Sequence, residues 1–151
     1  GVRELHGAGI VAYTSAMEDC LFCKIIAGII PAEKVYEDEN FIAFLDIKPV
    51  NLGHTLFVPK EHSRNIFDAP DTLLSTAGPV LKKLSRAVKE ATKADGITIG
   101  WNNEPAGGQL IFHTHIHIMP RFMNDDLQHW PGKKVAQTDL QKTAERIRSA
   151  V

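Results

Sequence analysis

The sequence predicts an α+β domain built on an antiparallel five-stranded sheet. Three observations predict it. Five short β-rich segments are separated by turn residues, and one long stretch carries helical spacing. The strands come in runs around that stretch instead of alternating with helices.

Residues 1–16 lack a clear period, and Met17-Glu18-Asp19 reads as a natural start. The first sixteen residues are taken as a flexible extension or expression remnant, with the folded domain spanning 17–151. Residues 23–27 suit a short helix closed by Gly28. Residues 34–37 and 41–46 read as strands around the Asp38-Glu39-Asn40 turn. Pro49 and Asn51-Leu52-Gly53 mark a loop, and 54–59 alternates as a third strand. Residues 71–94 place Leu73, Leu74, Ala77, Val80, Leu81, Leu84, Val88 and Ala91 near helical spacing. Pro79 inside that pattern predicts a kink or break. Residues 97–101 form a fourth strand, 102–108 a Gly/Pro/Asn loop, and 110–119 a fifth strand. Residues 140–151 suit a short C-terminal helix.

The chain has 151 residues, enough for one domain with a core. Hydrophobic residues at 44% and charged residues at 23% are ordinary for a globular protein. A net charge of −1 gives no field for nucleic acid or an anionic membrane. The apolar runs are too short to span a bilayer, and no secretory segment opens the chain. A cytoplasmic location is expected.

The two cysteines form Cys20-x-x-Cys23. A redox dithiol wants a strand before it and a long helix after it, and here a charged stub and Pro31 flank it. A disulfide framework needs more cysteines. Half of a zinc site remains, with two ligands to find.

Phe112-His113-Thr114-His115-Ile116-His117-Ile118 holds three of the seven histidines. On a strand, positions i, i+2 and i+4 share a face. Three readings compete. A half-buried strand with three hydrogen-bonded rings is disfavoured, because such rings repel when charged and need partners when buried. A catalytic zinc can gather two neighbours, but the outer pair lies about 13 Å apart by strand rise. Nucleophilic attack by the central histidine at phosphorus is favoured by Gly107-Gly108-Gln109, which brings backbone N–H groups to an anion.

The run from Gln109 to Ile118 resembles the signature of the histidine triad (HIT) superfamily, with Thr114 the mildly polar exception. Cys20-Leu21-Phe22-Cys23-Lys24-Ile25-Ile26, Phe44-Leu45-Asp46-Ile47-Lys48-Pro49, Gly53-His54 through Glu61-His62, and Asn102-Asn103 follow in the family's order. The similarity covers about Asp19 to Trp130. His129-Trp130-Pro131-Gly132 is similar to the Hint-like branch of bacterial nucleotide-binding proteins.

The resemblance implies a HIT-like fold and a set of roles. His115 is the nucleophile, its Nδ1–H held by the His113 carbonyl. His117 and His54 contact phosphate and assist proton transfer. Gln109, Gly108 and nearby N–H groups stabilise phosphoryl oxygens. Asp46 accepts from ribose hydroxyls, although a turn aspartate is the ordinary reading. Phe22, Ile25, Phe44 and Ile47 flank the base, and Asn102 lies near phosphate and ribose. Asn103 serves instead or holds the turn. Leu110 stands where many members carry a serine, threonine or acidic residue. Its missing hydrogen bond falls to a backbone N–H or is lost.

The resemblance further implies a structural zinc on Cys20, Cys23, His62 and His113, against the alternative of unmetallated thiols beside a hydrogen-bonded His113. It implies no organic cofactor. It implies a homodimer pairing the long helix and adjacent strand, with a purine nucleotide as substrate. His6 falls in the extension, and His129 is read as a surface or dimer-contact residue. The expected activity is hydrolysis of nucleoside 5′-phosphoramidates at the α-phosphorus, releasing AMP. Dinucleoside polyphosphate cleavage, a nucleotide-binding adaptor with vestigial catalysis, and a zinc hydrolase centred on His115 and His117 are the alternatives.

Overall fold

The computed structural model describes residues 2–4, 10–12 and 15–151, with side chains from Met17 onward. Strand β1 (Val2–Glu4) pairs antiparallel with β2 (Ile10–Ala12), where the sequence suggested no element. Residues 1, 5–9 and 13–14 of the expected extension, His6 among them, lie outside the described residues. One helical turn, α1 (Ser15–Glu18), leads into α2 (Leu21–Ile26). Helix α2 starts earlier than expected because the Cys20 sulfur caps it, accepting from the Cys23 N–H at 3.4 Å.

Strands β3 (Lys34–Glu37), β4 (Phe41–Leu45), β5 (Thr55–Pro59), β6 (Gly96–Gly100) and β7 (Ile116–Arg121) form one sheet in the order β3-β4-β5-β7-β6. Every adjacent pair is antiparallel. Helix α3 (Asp71–Thr92) covers one face, and α4 (Gln137–Ala150) ends the chain with no buried residue.

Strand alternation sorts the core into two layers. Ile42, Phe44, Leu56 and Val58 pack with Phe22, Cys23 and Ile26 of α2. Phe41, Ala43, Phe57, Ile116 and Ile118 pack with Leu73, Ala77, Leu84 and Val88 of α3. Even-numbered positions of β4 and β5 therefore face α2. On β7 the even positions face α3, which turns His117 toward α2.

Pro79 does not break α3, which runs unbroken across it. Proline frees the carbonyl of residue i−4, and Ser75 lies on the exposed face where water can satisfy it. The helix ends at Lys93 in the left-handed conformation, with the Ala94 N–H reaching back to the Lys89 carbonyl.

The largest departure concerns the histidine strand. It begins at Ile116, not at 110. Upstream, the chain bonds to the loop after β5 instead of the sheet: the Thr114 N–H donates to the Ser63 carbonyl at 2.8 Å, and the two hydroxyls meet at 2.6 Å. The β5–β7 ladder stops at Phe57–Ile116, and the Pro59 carbonyl accepts from the His113 ring instead.

The turn between β4 and β5 is tied down at both ends. The Asp46 N–H donates to the His54 carbonyl, and Asn51 bonds the Pro120 carbonyl and Asp125. Gly53 has φ +102, and a Cβ there would sit 2.5 Å from Thr92 Cγ2. Gly53→Ala is expected to cost on the order of 1–3 kcal/mol, read as a lower melting temperature.

Candidate active site

Strand parity gathers Asp46, His54 and His117 on the α2 face at one end of the sheet. His117 sits opposite Leu56 in the β5–β7 ladder. His54 Nε2 lies 2.9 Å from His117 Nδ1 and 3.7 Å from Asp46 Oδ2. The His115 ring centroid is 5.1 Å from that of His117. Phe22 meets His115 edge-on at 5.0 Å, fixing the ring against α2.

The partners assign the tautomers. His115 Nδ1 lies 2.6 Å from the His113 carbonyl oxygen, which only accepts. Nδ1 therefore carries the proton and Nε2 bears the lone pair. The Val50 N–H donates to His54 Nδ1 at 3.2 Å, so His54 Nε2–H donates to His117 Nδ1. His117 then carries its neutral-state proton on Nε2. One ring is left a nucleophile and its neighbour a proton donor.

All three rings are held below the ordinary imidazole value, chiefly by burial. For His117 the neighbouring His115 and His54 add to burial and push it down to about 4, with Asp46 opposing. These rings are neutral nucleophiles and bases near pH 7. An unfolded histidine takes its proton near 6.5, whereas folded His117 waits until about 4. Between those values the unfolded state binds more protons, so stability falls as pH falls. Melting temperature is expected to drop across that window, with a shallower drop in His117→Gln; equal slopes would contradict this.

Gln109 is fully committed inside the protein. Its Nε2 donates to the Arg64 carbonyl at 2.7 Å and the Ile111 carbonyl at 3.1 Å. Its Oε1 accepts from Asn65 Nδ2 and the Glu104 N–H. With both amide hydrogens spent, the side chain holds the loop and has no hydrogen left for phosphate. The Leu110 N–H has no acceptor among the described residues, and its side chain is exposed. Gly108 takes φ +88 beside Asn102, whose amide bonds its carbonyl at 3.4 Å. Asn103 holds the turn, accepting from the Ile66 N–H and donating to the Trp101 carbonyl.

Phe22 and Phe44 pack edge-on at 5.4 Å, and Ile25 packs partly buried against the same cluster. Ile47 is 92% exposed, on the turn beyond β4. Asp46 Oδ1 accepts the Lys48 N–H, leaving Oδ2 toward His54. Asn65 and Glu104, which brace Gln109, had no spacing or motif to mark them in the sequence.

A second cluster includes His113 itself, whose carbonyl holds the His115 ring. Cys20 Sγ and Cys23 Sγ lie 3.4 and 3.5 Å from His113 Nδ1, and Cys23 Sγ lies 3.3 Å from His62 Nδ1. The two Nδ1 atoms are 3.0 Å apart. A tetrahedral zinc with ordinary Zn–N and Zn–S bonds needs ligand–ligand edges of about 3.3–3.8 Å. The His113 Nε2–H donates to the Pro59 carbonyl at 2.7 Å, leaving Nδ1 as the free lone pair. Donor chemistry and spacing are compatible with zinc. The cysteine pair shares its protons unequally. Cys20 is pushed down by the Cys23 thiol and then His113, and Cys23 is pushed up by Cys20 and burial. Among the described residues one other group converges enough for an ion, Asp46, His54 and His117; His115 belongs to neither. No described helix is long and apolar enough to cross a membrane.

Comparison with known proteins agrees with this architecture. The chain is 45% identical over 109 residues to Protein hit of Bacillus subtilis, covering 72% of this chain and 75% of that protein. It is 37% identical to the adenylylsulfatase HINT3 of Arabidopsis thaliana, covering 96% and 74%. It is 33% identical to the adenosine 5′-monophosphoramidase HNT1 of Candida albicans, covering 85% and 89%. A crystal structure from Streptococcus mutans superposes with a TM-score of 0.84 at 42% identity, covering 98% of this chain and 90% of the other. A zinc-bound histidine triad family protein from Mycobacterium smegmatis superposes with a TM-score of 0.70 at 35% identity, covering 89% and 99%. Residues 27–124 match the HIT domain family, and the chain belongs to it.

Proposed function

We propose that this protein is a nucleotide hydrolase that cleaves nucleoside 5′-phosphoramidates at the α-phosphorus, with purine nucleotides preferred. The observation that carries the reading is the hydrogen-bond geometry of the histidines, which sets their tautomers. His115 has its proton pinned to a main-chain carbonyl and its Nε2 lone pair free, beside the His54–His117 donor pair. The activities named for HNT1 and HINT3 support it.

In this mechanism His115 Nε2 attacks the α-phosphorus and the phosphorus–nitrogen bond breaks. The leaving amine takes the electron pair and a proton supplied through His117. Water then attacks the nucleotidyl-His115 phosphorus, losing a proton to the same pair. The nucleoside monophosphate departs and His115 is neutral again. The Leu110 N–H, at the end of the Gly107-Gly108-Gln109 turn, stabilises a phosphoryl oxygen. It takes over the hydrogen bond that a side-chain hydroxyl at this position would give. Asp46 binds the ribose hydroxyls, and Phe22, Ile25, Phe44 and Ile47 flank the base.

Cys20, Cys23, His62 and His113 are assigned to a structural zinc, a closed four-ligand site that cross-links α2, the loop after β5 and the catalytic segment. A zinc-bound relative supports this assignment. A homodimer is proposed through β6, one of the two edge strands of the sheet, and the adjacent groove of about 310 Å³ lined by Leu74, Gly78, Leu81, Ile99 and Trp101. Ile99 is half exposed, and Trp101 Nε1 is buried without a partner among the described residues. Light scattering is expected to give twice the chain mass, and Ile99→Lys a monomer.

The test of function is release of AMP from an adenosine 5′-phosphoramidate by the purified protein, measured beside a dinucleoside polyphosphate. Preferential release from the phosphoramidate supports the reading. Binding of AMP with turnover of neither substrate overturns it in favour of an adaptor.

A further inference from the structure

Glu104 adopts φ +67 and ψ 160, a region open essentially to glycine alone. The residue there is nevertheless a glutamate, and its carboxylate is occupied. It accepts from Arg64 Nε and Nη2, the latter at 2.8 Å, and from Asn65 Nδ2 at 2.9 Å. Arg64, then Asn65, hold its carboxyl down to about 2. Asn65 is 1% exposed, and it also donates to Gln109 Oε1 at 3.0 Å. That oxygen receives the Glu104 N–H at 2.9 Å, and the Glu104 carbonyl accepts from Gly107 and Gln109. The result is a closed network joining residues 64–65 to the 104–111 loop. Arg64 is a strut in it, paired with Glu104 and lying over the Phe112 ring at 4.3 Å.

We infer that Glu104, acting through Asn65 and Gln109, is the positioning residue that holds the 105–110 loop where the Leu110 N–H meets the nucleotide phosphate. The inference rests on the nucleotide hydrolase reading. The carboxylate at this glycine-like position ties the loop to the Arg64 guanidinium and gives Asn65 a second acceptor beside Gln109. Without it the loop keeps its sequence but loses its placement, and a small misplacement of phosphate donors costs rate steeply.

The test compares Glu104→Gly, Glu104→Gln and Asn65→Ser with the parent protein. Glycine suits the backbone geometry, so Glu104→Gly is expected to melt within about 4 °C of the parent. Its kcat on an adenosine 5′-phosphoramidate is expected to fall about 10- to 100-fold. Hydrogen–deuterium exchange at residues 105–110 should quicken. Glu104→Gln keeps an acceptor for Asn65 and should stay within about fivefold of the parent, with slow exchange. Asn65→Ser should repeat the loss of rate and the faster exchange if Glu104→Gly does not fold. A kcat within twofold of the parent in Glu104→Gly, or a lost rate with unchanged exchange, overturns the inference. If the parent turns over no substrate, the hydrolase reading fails separately. The exchange data and AMP binding then decide: faster exchange with weaker binding upholds the inference, and unchanged values overturn it.

Discussion

Replacing His115 by alanine is expected to abolish AMP release while leaving AMP binding intact. The ring is the one imidazole in the cluster whose Nε2 lone pair has no partner among the described residues, because the His113 carbonyl holds the opposite proton at 2.6 Å. Losing the nucleophile removes the covalent route altogether, so kcat should fall on the order of 10⁴-fold or more. His117→Ala removes proton transfer and not the attack, and its loss should be smaller, about 10²- to 10⁴-fold. The order of the two effects is the informative result. Equal rates for His115→Ala and the parent would exclude His115 as the nucleophile. The Phe22 ring meets His115 edge-on, and the variant leaves that contact surface in place for base and ribose.

Removing the metal centre is expected to have the largest effect on stability. Cys23→Ser takes a thiolate from a site whose four donor atoms already converge. The purified parent is expected to carry one zinc per chain by elemental analysis, and Cys23→Ser much less. Melting temperature should fall by about 10 °C in the variant, and by a similar amount when a strong chelator strips the parent. The damage should reach catalysis as well. The His113 ring is one of the proposed zinc ligands, and its carbonyl anchors the His115 ring. Metal-free protein that keeps its melting temperature under chelator would contradict the structural role.

Much of this molecule was legible in the sequence, for identifiable reasons. Residues 41–46 and 54–59 are short, β-rich, mostly apolar runs bounded by turn residues, so β4 and β5 emerged within a residue. The heptad-like spacing of Leu73, Ala77, Leu84 and Val88 is strong enough to carry α3 across Pro79. The histidine motif pointed to the family because it and the Cys20–Ile26, Phe44–Pro49 and Gly53–His62 segments resemble the family's signature in order. The alternation of the histidines misplaced the strand. His113 and His115 are spaced as in a strand, but their segment is held by Ser63 and by the bond from the His113 ring to the Pro59 carbonyl, which are tertiary. Gln109 had the residue type of an anion donor, yet its amide is consumed by carbonyls 45 and two residues away in sequence. Glu104 and Asn65 were invisible because a glutamate before Pro105 reads as an ordinary loop residue. Only the backbone torsion and the long-range pairing distinguish it.

The central claim is that His115 carries the nucleotidyl group. The most direct measurement is rapid acid-free quenching of the protein with an adenosine 5′-phosphoramidate, followed by peptide mass spectrometry. One adenylyl group on His115 is expected, formed and lost at rates that match turnover and absent from His115→Ala. An adenylyl group on another residue, or turnover in His115→Ala at the parent's rate, would contradict it.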